Sequence, residues 1–320
     1  MARRAFAADD NEPMTQHTLE PEPGAVVDAF SFSASPAVTV DSGDRLVVRT
    51  LDSGGHLEPW RELGQERRLM FPSGRGHCLA GPIVVTGARP GQFLEVRLEA
   101  LRPADWGFTI AGIHDNTLNR RIGTAGGEPA FLRWDIDGDT RTATNQYGFR
   151  MPTAPFLGVV GTAPDEPGEH STIPPRTRNG GNIDCKELVA GTALYLPVTV
   201  AGGCLFVGDG HAAQGDGEVG GTAIECGMTT DLTVTVVDDV PVDAVHAVTP
   251  ASRITFGFSE DLNAATADAL DAMLTWLQRL LDLDRATALA LASSVVDLRI
   301  TQVANQTWGV HAVLPTRLVP

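Results

Sequence analysis

The stretch CLFVGDGHAAQGDGE, residues 204–218, joins an apolar run to a run of polar residues and glycines. Residues 204–207 have the composition of a buried β-strand. Successive side chains of a strand point to opposite faces, so Asp209 and His211 should leave the strand end on the same side. A carboxylate and an imidazole placed in this way can bind a metal ion. The alternative is a glycine-rich hairpin connection whose aspartates bond their own backbone.

Strand patterns continue on both sides of this stretch. Residues 93–98 show the clearest alternation, because Leu94, Val96 and Leu98 are separated by charged residues. Short apolar or β-branched runs bounded by turn residues lie at residues 37–40, 45–50, 83–85, 193–200, 221–225 and 232–237. The chain is therefore expected to be rich in β-strands.

The period of the apolar residues changes near the C-terminus. Within residues 262–283, leucines and Met273 recur at spacings of three and four, which predicts a helix with one apolar face. Core packing is favoured over an oligomer contact for that face. Asp284 is a candidate N-cap for a second helix over residues 286–294. Two closing strands are expected at residues 298–303 and 310–314.

These patterns predict an α+β, mainly-β fold, with strands in a sandwich or barrel-like arrangement and helices near the C-terminus. Residues 1–24 are expected to form a flexible tail. Residues 25–320 should form the folded domain, either as one unit or as two packed halves at residues 25–175 and 176–320. Weak periodicity over residues 102–175 favours long ordered loops there.

Composition excludes several classes of function. The 320 residues include 40 acidic and 24 basic side chains, which give a formal net charge of −16. This charge opposes binding to nucleic acid or to anionic lipid. No apolar run is long enough to span a membrane or to form a secretory signal, so we expect a cytoplasmic protein with no membrane partner. The four cysteines lack a CxxC pair, so reduced, packed thiols are expected.

A second polar cluster, GGNIDCKEL, occupies residues 180–188. Asn182 and Asp184 lie two residues apart and could share a face, where their oxygens could contact a metal ion. The alternative is a helix start capped by one of them. Cys185 and its neighbours Lys186 and Glu187 cannot all face one substrate from a regular element. Cys185 is therefore expected to be packed rather than nucleophilic.

Two histidines in loops could complete a metal site. His56 and His77 each lie beside a predicted strand, and imidazole is a common zinc ligand. A solvated loop histidine is the alternative for each. The acidic run at residues 135–139 resembles part of a calcium loop but lacks the closing glutamate, so we interpret it as a turn.

Together these segments resemble the acetamidase/formamidase family. The resemblance rests on residues 180–188, 191–198 and 208–218, with weaker matches at residues 79–83, 87–91, 155–161 and 296–303. It implies a homo-oligomer with a bound divalent metal that hydrolyses short carboxamides to a carboxylate and ammonia. The chain departs from the family at Gly55 and His56 and at residues 114–121, which leaves the accepted acyl group open.

A working hypothesis assigns roles within this resemblance. Asp184 and His211 are predicted metal ligands, joined by His77 or Asp209. Glu225, at the end of the apolar run 222–224, or Glu218 is the predicted proton shuttle. Lys186 or Asn182 is the predicted group that stabilises the oxyanion.

Zinc is the expected metal if His211 binds it, and calcium is the alternative if carboxylate oxygens dominate. The expected substrate is a small molecule, with formamide and acetamide first and a cyclic amide as a third candidate. The rival interpretation is a catalytically silent β-rich binding protein in which the glycine-rich segment holds a structural cation.

Overall fold

The computed structural model describes residues 15–113 and 115–318. Helices are few: α1 (Thr117–Ile122), α2 (Leu262–Leu281), α3 (Arg285–Val295) and a final 3₁₀ turn (Thr316–Leu318). In chain order the strands are β1 (Gln16–Leu19), β2 (Val26–Val27), β3 (Val38–Val40), β4 (Arg45–Thr50), β5 (Leu79–Val85), β6 (Phe93–Pro103), β7 (Trp106–Ala111), β8 (Ala130–Asp137), β9 (Thr142–Asn145), β10 (Arg150–Pro152), β11 (Phe156–Thr162), β12 (Gly180–Asn182), β13 (Ala193–Pro197), β14 (Leu205–His211), β15 (Glu225–Cys226), β16 (Met228–Val237), β17 (His246–Val248), β18 (Ser252–Ser259), β19 (Asp297–Gln302) and β20 (Trp308–Pro315).

The strands form two large sheets. One has nine strands in the order β1-β4-β16-β6-β13-β17-β18-β20-β19. The other has eleven, of which eight follow the order β10-β9-β8-β7-β15-β14-β11-β12, while β5 pairs with β14, β2 and β3. Pairing is antiparallel except between β1 and β4 and between β3 and β5. The mainly-β prediction is confirmed.

Both sheets contribute to one hydrophobic core. Leu94 and Val96 of β6 belong to the same buried cluster as Leu157 of β11 and Val207 of β14. Strands of both sheets therefore turn apolar side chains into a shared core, as in a β-sandwich. Buried residues on both sides of residue 175 belong to this core.

Helix α2 packs on the nine-stranded sheet at β18 and β20, and α3 packs against α2. Asp284 caps α3 by accepting hydrogen bonds from the backbone N–H groups of Ala286 and Thr287, as its position predicted. The apolar face of α2 packs in a second buried cluster with residues of β20, including Val310 and Ala312. Core packing accordingly accounts for that face.

Helix α2 approaches the sheet most closely at Gly257 of β18. A Cβ atom at this position would lie 2.7 Å from the backbone nitrogen of Ala269 and closer still to the backbone oxygen of Ala265. The Thr255 hydroxyl donates to the carbonyl of Ala269 at 2.7 Å beside this contact. The absence of a side chain at residue 257 thus sets the distance between helix and sheet.

Replacing Gly257 with alanine should lower the free energy of unfolding by about 2–3 kcal/mol, because the added methyl overlaps helix backbone that cannot rotate away. Denaturant unfolding followed by circular dichroism measures this change. Gly138→Ala is the matched control, since nothing lies within 4 Å of a Cβ there. Equal stability of the two variants would contradict this account of the packing.

Two predictions differ from the structure. The long loops expected over residues 102–175 are present only in part, because β7 to β11 lie there while residues 163–179 form a long connection to β12. Strand β8 does show the alternation typical of a strand, since buried Trp134 and Ile136 alternate with exposed Asp135 and Asp137. We did not predict it because two of its last three residues are acidic, which favoured a turn. The run 135–139 does end in the expected turn, in which Asp137 accepts from the backbone of Asp139 and Thr140.

The predicted tail is also partly wrong. Residues 16–19 form β1, which pairs with β4 and buries Leu19. The rest of that prediction, residues 1–14, lies outside the described residues. Within the part of the chain that the structure describes, no helix combines the length and apolar character needed to cross a bilayer.

Candidate active site

Neighbouring strands of the eleven-stranded sheet carry the predicted site residues. Strand β11 lies between β12 and β14, and β14 pairs on its other side with β15. Asp209 and His211 end β14, Glu225 begins β15 opposite His211, and Asp184 follows β12 by two residues. The antiparallel pairing brings these four side chains to one place although they come from distant parts of the sequence. The hairpin-turn alternative for residues 208–211 is wrong, because they are part of β14.

Gly158 of β11 makes room for the cluster. A Cβ atom at this position would lie 2.5 Å from Asp209 Oδ2, 2.7 Å from Asp184 Oδ1 and 2.8 Å from His211 Cε1. The carbonyl of Gly158 also accepts hydrogen bonds from the backbone N–H groups of Ile183 and Asp184, which fixes the segment after β12. Only a residue without a side chain allows the carboxylates and the imidazole to converge.

His211 stands at the centre. Its Nε2 atom lies 3.2 Å from Glu225 Oε1 and 3.4 Å from Asp209 Oδ1. Its Nδ1 atom lies 3.0 Å from Oε1 of Gln214, whose Nε2 donates to the carbonyl of Asp184 at 2.7 Å. Since Oε1 can only accept, Nδ1 carries a proton, and Nε2 faces the carboxylates. Gln214 therefore fixes the orientation of the imidazole.

Glu218 and His77 complete the cluster. Side-chain oxygens of Asp184 and Glu218 and one nitrogen of His211 lie within 4.8 Å of one another. His77 Nε2 lies 3.8 Å from Asp209 Oδ2. The position of His77 is set by Thr172, whose hydroxyl oxygen accepts from the His77 backbone at 2.8 Å and lies 3.0 Å from its Nδ1.

Three of the carboxylates sit on strained backbone. Asp184, Asp209 and Glu218 have φ angles of 54°, 58° and 43°, in the left-handed region. Such a conformation costs a non-glycine residue of order 1–3 kcal/mol and persists where surrounding structure over-determines it. Three acids of one cluster have this conformation. We infer that the packing that holds their carboxylates in place, rather than the intrinsic preference of each residue, sets the backbone angles here.

Burial makes the cluster electrostatically unfavourable. Asp184, Asp209, His211, Glu218 and Glu225 are each at most 7 % exposed. Burial raises the pKa of Asp184, Glu218 and Glu225, because it opposes the charged form of each carboxyl group. Burial would also raise the pKa of Asp209, but the positive charges of His211 and His77 overcome it and lower that pKa. Burial would lower the pKa of His211, and the charges of Glu225 and Asp209 raise it instead.

The donor set fits a cation. Both oxygens of Asp184, Oδ1 of Asp209, Nε2 of His211 and Oε2 of Glu225 are buried and have no hydrogen-bond partner among the described residues. Buried oxygens and nitrogens are normally paired. Carboxylates around one imidazole nitrogen are ligands for a divalent ion. These unpaired atoms are therefore of the kinds that bind a divalent ion, and they lie close enough together to bind the same one.

The cluster forms the floor of an open cavity of about 670 Å³. Its walls come from loops on several sides of the molecule. The outer lining comprises Ser53, Asp115, Asn116, Ser171, Ile173, Pro174, Gly221, Thr222, Glu260 and residues 304–307. A cavity of this kind gives a small molecule access to the buried carboxylates.

The two residues predicted to stabilise an oxyanion have different surroundings in the structure. Lys186 is not in the described cavity lining, and its Nζ pairs with Asp216 at 3.1 Å, so the structure does not bring it to the cluster. Asn182 does line the cavity, but its Nδ2 donates to the carbonyl of Ile173 at 2.9 Å. One amide N–H is thereby used within the protein, whereas Oδ1 has no partner in the described structure. The donor role of Asn182 stays a prediction.

Cys185 is packed, as expected. Its thiol is fully buried and donates to Glu187 Oε2 at 3.3 Å, and burial raises its pKa well above the ordinary value. All four cysteines are free and buried. His56 also lies outside the described cavity lining, and its Nδ1 is 2.8 Å from Asp52.

Sequence reasoning missed Gly158 and Thr172. A glycine inside the apolar strand FLGVV often marks a close approach by another group, and this signal could have found Gly158. No local pattern could have found Thr172, because it is 95 residues away from the histidine that it positions.

The fold and the site define a mainly-β hydrolase whose centre is a buried cluster of carboxylates around an imidazole. A model of the acetamidase/formamidase family matches residues 30–170 and 167–318. The chain belongs to the acetamidase/formamidase family.

The chain is also similar to individual members of this family and to solved structures. A formamidase of Methylophilus methylotrophus is 27 % identical over 259 residues, which span 62 % of this chain and 61 % of the formamidase. The crystal structure of an acetamidase from Bacillus halodurans superimposes with a TM-score of 0.83 at 27 % identity, over 94 % of this chain and 98 % of that chain. A γ-lactamase from Delftia acidovorans, with a TM-score of 0.62 at 21 % identity over 95 % and 93 % of the two chains, shares the fold.

Replacing Gly158 with alanine should push the carboxylates and imidazole apart. We expect the free energy of unfolding to fall by about 1–3 kcal/mol because the added methyl overpacks the floor. We also expect zinc to raise the melting temperature of the wild-type protein, and this rise should be lost in the variant. Thermal unfolding with and without the ion measures both effects. Gly215→Ala, in the connection after β14 and with nothing within 4 Å of its Cβ, should behave as wild type. A retained cation response in Gly158→Ala would contradict the proposed convergence.

Proposed function

We propose that this protein is a metal-assisted amidase that hydrolyses short aliphatic carboxamides to a carboxylate and ammonia. The observation that carries the proposal is the set of buried atoms without hydrogen-bond partners at the cavity floor, described above for Asp184, Asp209, His211 and Glu225. Membership of the acetamidase/formamidase family supports the choice of amides as substrates.

In this proposal Asp184, Asp209 and His211 hold the ion, and His77 stands beside Asp209 on the open side. A bound divalent metal lowers the pKa of water from about 15.7 towards 7 and so provides a nucleophile at neutral pH. Gln214 keeps the imidazole in the tautomer that leaves Nε2 free to bind. Zinc is the proposed metal because the central ligand is an imidazole, with calcium as the alternative because the remaining donors are carboxylate oxygens.

Glu225 is the proposed proton shuttle. Its Oε1 is held by the backbone N–H of Ala223 at 2.9 Å and by the proximity of His211, whereas Oε2 has no partner in the described structure. A carboxylate fixed at one oxygen and free at the other can take a proton from the attacking water. It then delivers that proton to the departing nitrogen when the carbon–nitrogen bond breaks. Glu218 is the alternative shuttle.

Formamide and acetamide are the first substrates to test, and a lactam is the third. The rival function is a silent binding protein in which the same cluster holds a structural cation.

We also propose a homo-oligomer in the cytoplasm. Exposed Tyr147 and Phe149, each 70 % exposed, offer an apolar contact, and four free cysteines suit a reducing compartment.

Removal of the metal should abolish ammonia release, whereas a thiol-alkylating reagent should leave it intact. Asp184→Ala and His211→Ala should each lose bound metal and at least about 100-fold in kcat/KM, because loss of a ligand exceeds the 10- to 100-fold effect of changing a residue that orients one. Elemental analysis and an ammonia assay measure these quantities. Lys186→Ala is the control, and it should keep both metal and activity. Metal at wild-type occupancy in both ligand variants would reject this ligand set. Retained metal without ammonia release from any small amide would favour the binding role.

Glu225→Gln separates proton transfer from metal binding. We expect kcat to fall by about 10²–10⁴-fold, the usual contribution of a general acid–base group, while metal content stays within twofold of wild type. Steady-state kinetics and elemental analysis on the same preparation decide this. Glu218→Gln is the matched comparison, and a larger loss of kcat in that variant would assign the shuttle to Glu218.

A further inference from the structure

Asn182 presents an unused hydrogen-bond acceptor at the floor of the cavity. It is the last residue of β12, pairs in register with Val159 and is 5 % exposed. Its Oδ1 atom is buried and has no hydrogen-bond partner in the described ranges. The residue lines the same cavity as Asp184, two positions further along the chain.

The orientation of this amide is fixed by its surroundings. Nδ2 donates to the carbonyl of Ile173 at 2.9 Å, and Asn305 Nδ2 donates to that carbonyl from another side at 3.3 Å. Rotating the Asn182 amide by 180° would place Oδ1 against the carbonyl oxygen, and two acceptors would then repel each other. Oδ1 is therefore held away from the carbonyl, and it can accept a hydrogen bond from a ligand.

We propose that Asn182 Oδ1 accepts a hydrogen bond from the N–H of the substrate's carboxamide, so that the site selects amides that carry at least one N–H. This inference rests on the proposed function and assigns Asn182 to substrate recognition. A primary amide nitrogen donates two hydrogen bonds, whereas an ester oxygen or a disubstituted nitrogen donates none. Binding an ester would leave the buried acceptor unpaired, and sites built around such a bond strongly reject analogues that lack it.

The same contact should strengthen during the reaction. The nitrogen gains a proton and positive charge as the carbon–nitrogen bond breaks, and hydrogen bonds from charged donors are roughly twice as strong as neutral ones. A neutral oxygen acceptor at this place thus stabilises the departing nitrogen more than the bound amide. An interaction that is stronger in the transition state raises kcat.

The test compares kcat/KM for acetamide, N,N-dimethylacetamide and methyl acetate. Esters are intrinsically easier to cleave than amides, so the informative quantity is the acetamide-to-ester ratio of each variant relative to wild type. In Asn182→Leu, which keeps the size of the side chain but has no acceptor, this ratio should fall about 10- to 100-fold, the range expected when a buried hydrogen bond is lost. Asn182→Ala should show the same direction of change. The wild-type protein should have a higher kcat/KM for acetamide than for N,N-dimethylacetamide. The ratio of these two values should be smaller in Asn182→Leu.

Asn305→Leu is the matched control. It removes the other hydrogen bond to the Ile173 carbonyl but leaves Oδ1 of Asn182 in place, so its acetamide-to-ester ratio should stay within about threefold of wild type. An unchanged ratio in both Asn182 variants would overturn the inference. A fall in metal content equal to that of Asp184→Ala would also overturn it, because Asn182 would then be a metal ligand. A wild-type protein that cleaves none of the compounds would instead contradict the proposed function, and the inference would fall with it.

Discussion

Repulsion among buried carboxylates is the constraint on which the site depends. Four acids and one imidazole occupy a volume that excludes most water, and no set of hydrogen bonds among the described residues pairs their inward atoms. Such a cluster is stable only if protons or a cation balance its charge. The opposite directions of the pKa shifts at Asp209 and Glu225 express this conflict, which a divalent ion at the floor would resolve.

The order of the strands in the eleven-stranded sheet holds the repelling side chains together. Adjacent strands deliver Asp184, His211 and Glu225 from three separate parts of the chain, and a glycine in the intervening strand removes the one side chain that would keep them apart. Left-handed backbone at Asp184 and Asp209 then turns the carboxylates inward. Rigid strands thus carry groups that a loop could not hold together against their mutual repulsion.

The sequence predicted much of this, for identifiable reasons. Alternation and helical spacing are local signals, so strand β6, helix α2 and the Asp284 cap could be located. Strand geometry predicted that Asp209 and His211 share a face, and the family resemblance favoured this interpretation over a hairpin turn. The choice between Glu218 and Glu225, the contact of Lys186 with Asp216 and the support of His77 by Thr172 depend on pairing between distant segments. Residue spacing contains no information about such pairing. Strands β7 to β11 were missed because acidic and glycine residues interrupt their apolar rows.

The buried thiols have a consequence for the study of motion in this molecule. Cys185 follows Asp184 and Cys226 follows Glu225, and both sulfur atoms are shielded from solvent in the folded state. A reagent can reach either one only when the local segment opens. The labelling rate of each cysteine therefore measures how often the segment beside it separates from its neighbours, so these two residues report local opening next to Asp184 and next to Glu225.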